Sequence, residues 1–162
     1  NISSEDAGKL NLAVEVRRNG DLKSAVRMLE EITAKNSNYY RAFYNLGLAY
    51  TDSGATEKGL ESLLRAHELR KANKINDPTL DNSIGWSYLL LGNYNEAERY
   101  FDIAIANSAS MSSFSKARLY NNYAQVKIYK KDYVAARKYL NLAIENGSTI
   151  ARKTLRQISN YR

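Results

Sequence analysis

Apolar and small residues recur along this chain in four similar blocks, and within each block they follow the spacing of a helix. In the second block they stand at Phe43, Leu46, Gly47 and Tyr50, a pattern that places side chains on one helical face. One position of the pattern holds a small residue in every block, at intervals of 34, 38 and 39 residues. These small residues are Ala13, Gly47, Gly85 and Ala124. A period of this length predicts a stacked array of helical repeats.

Each block is expected to turn after its first helix. Gly20, Gly54 and Gly92 follow the first helix of the first three blocks, and glycine readily adopts the left-handed conformation that ends a helix. Lys131 stands at this point in the fourth block. We therefore expect the fourth turn to be strained or differently shaped.

A second amphipathic helix completes each block. In the third block, Ala97, Phe101 and Ala104 share one helical face. Such a pair of helices cannot bury its apolar face alone, so neighbouring pairs must stack to complete the core. The pattern resembles the tetratricopeptide repeat, a helix–turn–helix unit of 34 residues. The aromatic residue that usually opens the motif is present as Phe43 and Tyr120.

The resemblance implies an all-α fold, a right-handed superhelical solenoid of about four repeats with a C-terminal capping helix. We expect one array over residues 1–162, with repeats at about 6–39, 40–73, 78–111 and 117–150 and the cap helix at about 149–161. Ile150, Ala151, Leu155 and Ile158 are expected to form the apolar face of that cap helix.

Two longer intervals between repeats predict local departures. The first adds four residues, about one helical turn, which predicts that the second helix of the second repeat runs to Ala72. Asp77 is then expected to cap the next helix and Pro78 to open it. The second lies in the serine-rich segment 107–115, which we expect to be a loop.

In proteins that this chain resembles, the first helix of each repeat lines a concave groove that holds an extended peptide or a partner helix. The resemblance therefore implies a groove built from polar anchors and large apolar side chains. The expected groove residues are Arg41, Tyr44, Asn45, Leu48, Asn82, Trp86, Leu89, Arg118, Asn122, Gln125 and Tyr129. The alternative for this set is that Trp86 packs against a neighbouring repeat and the asparagines only solvate the surface.

Asn45, Arg118 and Asn122 also invite comparison with the carboxylate clamp of chaperone-binding tetratricopeptide domains. Such clamps require a lysine and an asparagine on the first helix, where this chain has Leu10 and Val14. The resemblance therefore favours an internal peptide or a helix over a chaperone's C-terminal peptide.

The formal net charge of +7 is uneven, because residues 116–162 alone carry +9. The candidate basic patch is Lys127, Lys130, Lys131, Lys138, Arg152 and Lys153. Basic patches attract nucleic acid, anionic membranes or acidic proteins. We favour a solvated end of the array, with an acidic protein partner second and nucleic acid third.

The sequence offers no recognisable catalytic or cofactor motif. The one histidine, His67, lies beside Leu63, Leu64 and Ala66 and is expected to pack at a repeat interface. There is no cysteine, so a usual structural zinc site cannot form. We therefore expect a non-catalytic protein-interaction scaffold without a cofactor. The alternatives are a self-assembling scaffold or homo-oligomer, a nucleic-acid or anionic-surface binder using residues 116–162, and a regulatory module of a larger enzyme.

No apolar run approaches the roughly 20 residues that a membrane span requires. We expect a soluble protein, with the cytoplasm favoured and the bacterial periplasm as an alternative. Since the chain begins at Asn1 rather than methionine, we also expect a processed product or a piece of a longer protein.

Overall fold

The computed structural model describes residues 1–162, and its regular elements are all helical. The nine α-helices are α1 (Ser4–Arg18), α2 (Leu22–Lys35), α3 (Tyr40–Asp52), α4 (Thr56–Ala72), α5 (Pro78–Leu90), α6 (Tyr94–Ala106), α7 (Ser113–Tyr129), α8 (Tyr133–Glu145) and α9 (Thr149–Gln157). The prediction of an all-α helical-repeat fold is confirmed.

The helices form two compact units, Asn1–Ser83 and Ile84–Arg162, which divide within α5. The first unit contains α1 to α4 and the first half of α5. The second contains the rest of α5 and α6 to α9. The sequence-based repeat boundaries, and the single array that they imply, stay predictions.

Side-chain caps explain where many of the helices begin. Asp77 Oδ1 accepts the backbone N–H groups of Thr79 (3.1 Å) and Leu80 (3.4 Å), and α5 opens at Pro78, as the sequence predicted. Helix α4 also reaches Ala72 as predicted. Such caps satisfy N–H groups that have no partner within the helix.

The expected loop at 107–115 is shorter than predicted. A 3₁₀ turn occupies Ser108–Ser110, and α7 already begins at Ser113 because Ser112 accepts the backbone N–H of Ser115 at 3.2 Å. The serine-rich composition, which suggested a loop, instead supplies a helix cap.

The first unit is held together by a close approach of α3 and α4. A Cβ atom added at Gly47 would lie 2.6 Å from the Leu63 side chain and 2.9 Å from the Gly59 carbonyl oxygen. A larger residue would therefore force the two backbones apart. The buried apolar residues around α1 to α3 include Leu10, Leu29 and Leu46, and burial of each such side chain stabilises the fold by about 1.5–3 kcal/mol.

The second unit uses bulkier side chains for the same purpose. Phe101 is fully buried with Leu119 and Val126 between α6 and α7, and Leu140 is buried in the cluster that α8 and α9 complete. Lys131 has a φ of 61°, which is the strained left-handed turn that the sequence predicted.

Candidate partner-binding surface

In the first unit, the expected groove residues on α3 are engaged with their own neighbours. The Tyr44 ring stacks on Tyr40 with centroids 6.2 Å apart, and its hydroxyl oxygen lies 3.4 Å from Ser83 Oγ. The Asn45 side chain donates to the Arg41 carbonyl oxygen at 2.8 Å. Leu48 is half-buried and Arg41 exposed. Intramolecular contacts therefore already use much of the polar capacity of this surface.

Asn82, on α5, is only 5% exposed. Its side chain is therefore a weak candidate for a polar anchor, because a partner could reach little of it. The periodicity of the sequence places Asn82 one helical position from the packing face, and a side chain there can fall on either side of the boundary.

Beneath this surface lies a buried ion pair that sequence reasoning did not anticipate. Arg70 donates two hydrogen bonds to the Asp81 carboxylate, at 2.7 and 2.9 Å, and both residues are buried. Burial alone would lower the pKa of Arg70, but the hydrogen bond and charge of Asp81 outweigh it and raise that pKa. The pair joins α4 to α5 with the geometry of a strong two-pronged bond.

Two further side chains complete this polar network. Arg70 Nη2 lies 2.7 Å from His67 Nδ1, and since a guanidinium only donates, Nδ1 accepts. Tyr40 donates to the Asp77 carboxylate, and burial together with that bond raises the pKa of Tyr40. His67 is therefore part of a hydrogen-bonded network and not only the packing residue that the sequence suggested.

In the second unit, the structure brings four expected groove residues together around a cavity of about 500 Å³. We call it the Trp86 cavity. It is lined by Trp86, Leu89, Leu90, Leu91, Gly92, Tyr94, Asn121, Gln125 and Tyr129. No charged side chain is among them, so the cavity offers aromatic and aliphatic surface with amide groups.

The rim of the Trp86 cavity is exposed, whereas its base is part of the core. Leu90 is 49% and Tyr129 58% exposed, and the Tyr129 ring stacks on Tyr94 with centroids 4.9 Å apart. Leu89 is buried. Trp86 packs against the core cluster around Phe101 and also lines the cavity, and its role in binding stays a prediction.

Arg118 and Asn122 line a different cavity, of about 340 Å³, which we call the Phe114 cavity. Its lining residues are Phe114, Ala117, Arg118, Asn121, Asn122, Asn146, Gly147, Ser148, Thr149 and Ile150. Phe114 is 72% and Ile150 67% exposed. Ile150 was expected on the buried face of the cap helix, but that face is formed by Ala151 and Ile158, and the exposed Ile150 borders the cavity instead.

The two cavities share one residue, Asn121. Its Oδ1 atom is buried and has no hydrogen-bond partner. The missing partner of this atom and the cavities on either side of Asn121 depend on tertiary packing, which the periodicity of the sequence does not specify.

The basic patch is partly neutralised within the molecule. Glu98 on α6 accepts hydrogen bonds from both Lys127 and Lys130. Burial alone would raise the pKa of Glu98, but the hydrogen bonds and charges of the two lysines together outweigh it and lower that pKa. The Lys138 ammonium lies 5.5 Å from the Tyr139 ring centroid. Lys131, Arg152 and Lys153 are exposed. The sequence-based patch is therefore less concentrated than its charge count suggested.

No cluster of three or more histidine, aspartate or glutamate side chains has an arrangement that could hold a metal ion. None of the helices combines the length and apolar character needed to cross a membrane.

Comparison with known proteins identifies the class of protein. A family model described as tetratricopeptide repeat matches residues 10–75 and 82–149, and the chain belongs to this family. No curated protein matches the chain.

Several solved structures share the fold. PilW, a type IV pilus biogenesis factor, is 19% identical with a TM-score of 0.77 over 89% of this chain and 63% of PilW, so the chain spans less than two thirds of that protein. MamA is 19% identical with a TM-score of 0.73 over 91% of this chain and 81% of MamA. The type III secretion chaperone SycD of Yersinia enterocolitica, solved with a peptide of the translocator YopD, is 18% identical with a TM-score of 0.68 over 80% of this chain and 97% of SycD. At these identities the likeness shows the fold alone.

Proposed function

We propose that this chain is a non-catalytic scaffold that binds a peptide or helix of a partner protein through the Trp86 cavity. The observation that carries the proposal is a cavity of about 500 Å³ with an aromatic and aliphatic lining and an exposed rim. Its volume falls within the range of about 300–1,000 Å³ that is usual for small-molecule sites, which is room enough for a side chain of a peptide. Tryptophan and tyrosine are also the residues most often found at interface hot spots.

Two further observations support this function. The family to which the chain belongs consists of helical repeats whose stacked units create extended binding surfaces. SycD, which shares the fold, was solved with a bound peptide. Carried over to this chain, that peptide complex supports a protein segment as the ligand.

The test begins with a displayed library of random linear peptides selected against the intact protein. Affinities of the selected peptides are then measured by fluorescence anisotropy for the parent and three variants, Tyr129→Ala, Leu90→Ser and Tyr161→Ala. Tyr161 is the matched control because it is 55% exposed and stacks on Tyr133 with centroids 4.9 Å apart, much as Tyr129 stacks on Tyr94.

We expect Tyr129→Ala and Leu90→Ser each to weaken binding about tenfold or more, as interface hot spots do, while Tyr161→Ala has little effect. Circular dichroism should show the same helix content in all four proteins. If Tyr161→Ala weakens binding as much as Tyr129→Ala does, or neither has an effect, the Trp86 cavity is not the site. If no peptide is enriched and the mass of the protein in solution rises with concentration, self-assembly replaces this proposal.

A further inference from the structure

Burial of one apolar side chain in the Trp86 cavity supplies less than half of the binding free energy of a micromolar complex. A peptide that binds with micromolar affinity therefore contacts more of the second unit than this cavity. The surface that continues from it is the face of α7 that leads to the Phe114 cavity.

The side chains along this face of α7 connect the two cavities in order. Phe114 and Arg118 line the Phe114 cavity, Asn121 lines both, and Gln125 and Tyr129 line the Trp86 cavity. Their spacing of three or four residues places them on one side of the helix. From Phe114 to Tyr129 the helix rises roughly 22 Å, a length that about seven extended residues cover.

Asn121, which lines both cavities, favours an extended ligand over a helical one. The Asn121 Oδ1 atom is buried without a donor, so no hydrogen bond of this oxygen opposes a rotation of the side chain that turns it towards the adjoining cavities. An extended peptide has backbone N–H groups free to donate to the oxygen in that rotated position. A helix uses its internal N–H groups in its own hydrogen bonds.

The charge of Arg118 indicates which ligands this surface favours. Arg118 is the only charged residue that lines either cavity, and it is exposed. Its guanidinium lies 6.0 Å from the Phe114 ring centroid and forms no ion pair within the chain. A guanidinium over an aromatic ring keeps its N–H edge available for a two-pronged bond to a carboxylate.

The geometry points to an internal, extended, acidic–apolar peptide segment as the ligand, and this inference rests on the proposed function of the Trp86 cavity. One apolar side chain of the segment occupies each cavity, and a backbone N–H donates to Asn121 Oδ1. An aspartate or glutamate side chain pairs with Arg118. The carboxylate is assigned to a side chain and not to a chain terminus, because the Phe114 cavity extends a further helical turn beyond Arg118, to Phe114, and the segment has room to continue there.

The experiment uses the same displayed library, with the random segment flanked on both sides so that no terminal carboxylate is present. We expect the selected peptides to carry two apolar positions about five to seven residues apart, the separation that the two cavities along α7 require, and an acidic residue near one of them. The Arg118→Glu variant should bind them about tenfold more weakly, since a hydrogen bond to a charged group is lost. Replacing the acidic residue of the peptide by lysine should restore binding to Arg118→Glu. Arg156→Glu, an exposed arginine of α9 outside both cavities, is the matched control and should bind normally.

A second variant tests the role of Asn121 by separating binding from folding. Leucine resembles asparagine in size but lacks the unpaired acceptor, so Asn121→Leu should keep or raise the unfolding temperature and yet weaken peptide binding about tenfold. A merely structural role for Asn121 would lower the unfolding temperature instead.

The outcomes distinguish the two proposals. Peptides that depend on Tyr129 but not on Arg118 or Asn121 would overturn the extended acidic segment and leave the Trp86 cavity as the site. Selection of helix-forming peptides would also overturn it, as would synthetic peptides that bind only when the selected segment ends in a free C-terminal carboxylate. Binding that is insensitive to Tyr129 and Leu90 would overturn both.

Discussion

Helices α3 and α7 hold equivalent places in the two units, yet their exposed faces differ. On α3, Tyr44 stacks on Tyr40 and approaches Ser83. On α7, Arg118 has no ion-pair partner and Asn121 Oδ1 has no donor, and cavities lie beside both. The repeat pattern therefore determines which residues are buried, while the opposite face is free to differ from one repeat to the next.

The two units also treat charge differently. The first unit buries an ion pair, Arg70 with Asp81, whereas the second unit gathers Lys127 and Lys130 around the partly exposed Glu98. Buried charges require partners, whereas exposed charges are stabilised by water. Both sets of charges join neighbouring helices, α4 to α5 in the first unit and α6 to α7 in the second, but only the pair in the first unit is buried.

The largest effect is expected from breaking the buried ion pair of the first unit. Arg70→Met leaves the Asp81 carboxylate buried and unpaired, which should lower the free energy of unfolding by about 3–5 kcal/mol. Hydrogen exchange measured by mass spectrometry should show the loss of protection in α4 and α5 before α7 and α8. The double variant Arg70→Met/Asp81→Leu is the control and should recover much of the loss. If the double variant recovers none of the lost free energy of unfolding, side-chain packing and not the unpaired charge determines stability at this site.

The second largest effect is expected at the glycines where two helices approach each other closely, Gly59 in the first unit and Gly85 in the second. A Cβ at Gly59 would lie 2.9 Å from the backbone oxygen of Gly47, whereas a Cβ at Gly85 would lie 2.7 Å from the Phe101 ring. Since a ring can shift more easily than a backbone, Gly59→Ala should lower the free energy of unfolding by about 2–3 kcal/mol and Gly85→Ala by about 1 kcal/mol. Denaturant titration followed by circular dichroism measures both.

Gly8→Ala is the control for this pair, because nothing lies within 4 Å of its added Cβ. It should raise stability by up to about 1 kcal/mol through helix propensity. If Gly59→Ala and Gly85→Ala lower the free energy of unfolding equally, the core of the second unit is as rigid as the core of the first.

A smaller effect concerns the left-handed residues, one in each unit. Lys74 has a φ of 54° and Lys131 a φ of 61°, a conformation that is unfavourable for residues with a Cβ. Lys74→Gly and Lys131→Gly should each stabilise the protein by about 0.5–1 kcal/mol. The reverse control, Gly92→Ala at a φ of 78°, should destabilise it by a similar amount. Thermal unfolding measures all three, and a lysine-to-glycine change that destabilises would mean that the lysine side chain makes a needed contact.

The smallest effect is expected from the charge cluster of Glu98, Lys127 and Lys130 in the second unit, and it should depend on pH. The pKa of Glu98 is lowered from its ordinary 4.5, so its carboxylate stabilises the folded state above that pH. This contribution declines as the pH falls through 4.5 and is lost below the folded pKa. Glu98→Gln should therefore lower the unfolding temperature slightly at neutral pH, and the difference should vanish in acid. Glu96→Gln, which removes an exposed pair with Arg99 within one helix, is the control and should change little at either pH.

The repeated pattern was sufficient to predict the helices and the close approaches. Small residues at Gly47 and Gly85 predicted where two helices meet, and the turn at Lys131 was anticipated because glycine fills its place elsewhere. The ion pair of Arg70 with Asp81 was not predicted, because the residues are 11 positions apart across an irregular turn and no periodicity relates them.

The candidate site was predicted only in part. Trp86, Gln125 and Tyr129 were expected in a groove and line one cavity. Asn82 was expected in the same groove but is only 5% exposed, because its position borders the packing face of α5. Asn121 and the exposed position of Ile150 depend on how α7, α8 and α9 pack in the second unit.

The sequence by itself determined the repeat family, the helical class and the small positions where helices approach closely, because these follow from local periodicity and from side-chain volume. The tertiary structure decided which polar groups are paired and where cavities remain. Hydrogen bonds between distant residues and the gaps between helices depend on atomic positions that local spacing does not specify. That is why the buried ion pair, the unpartnered Asn121 and the two adjoining cavities became visible only in the folded chain.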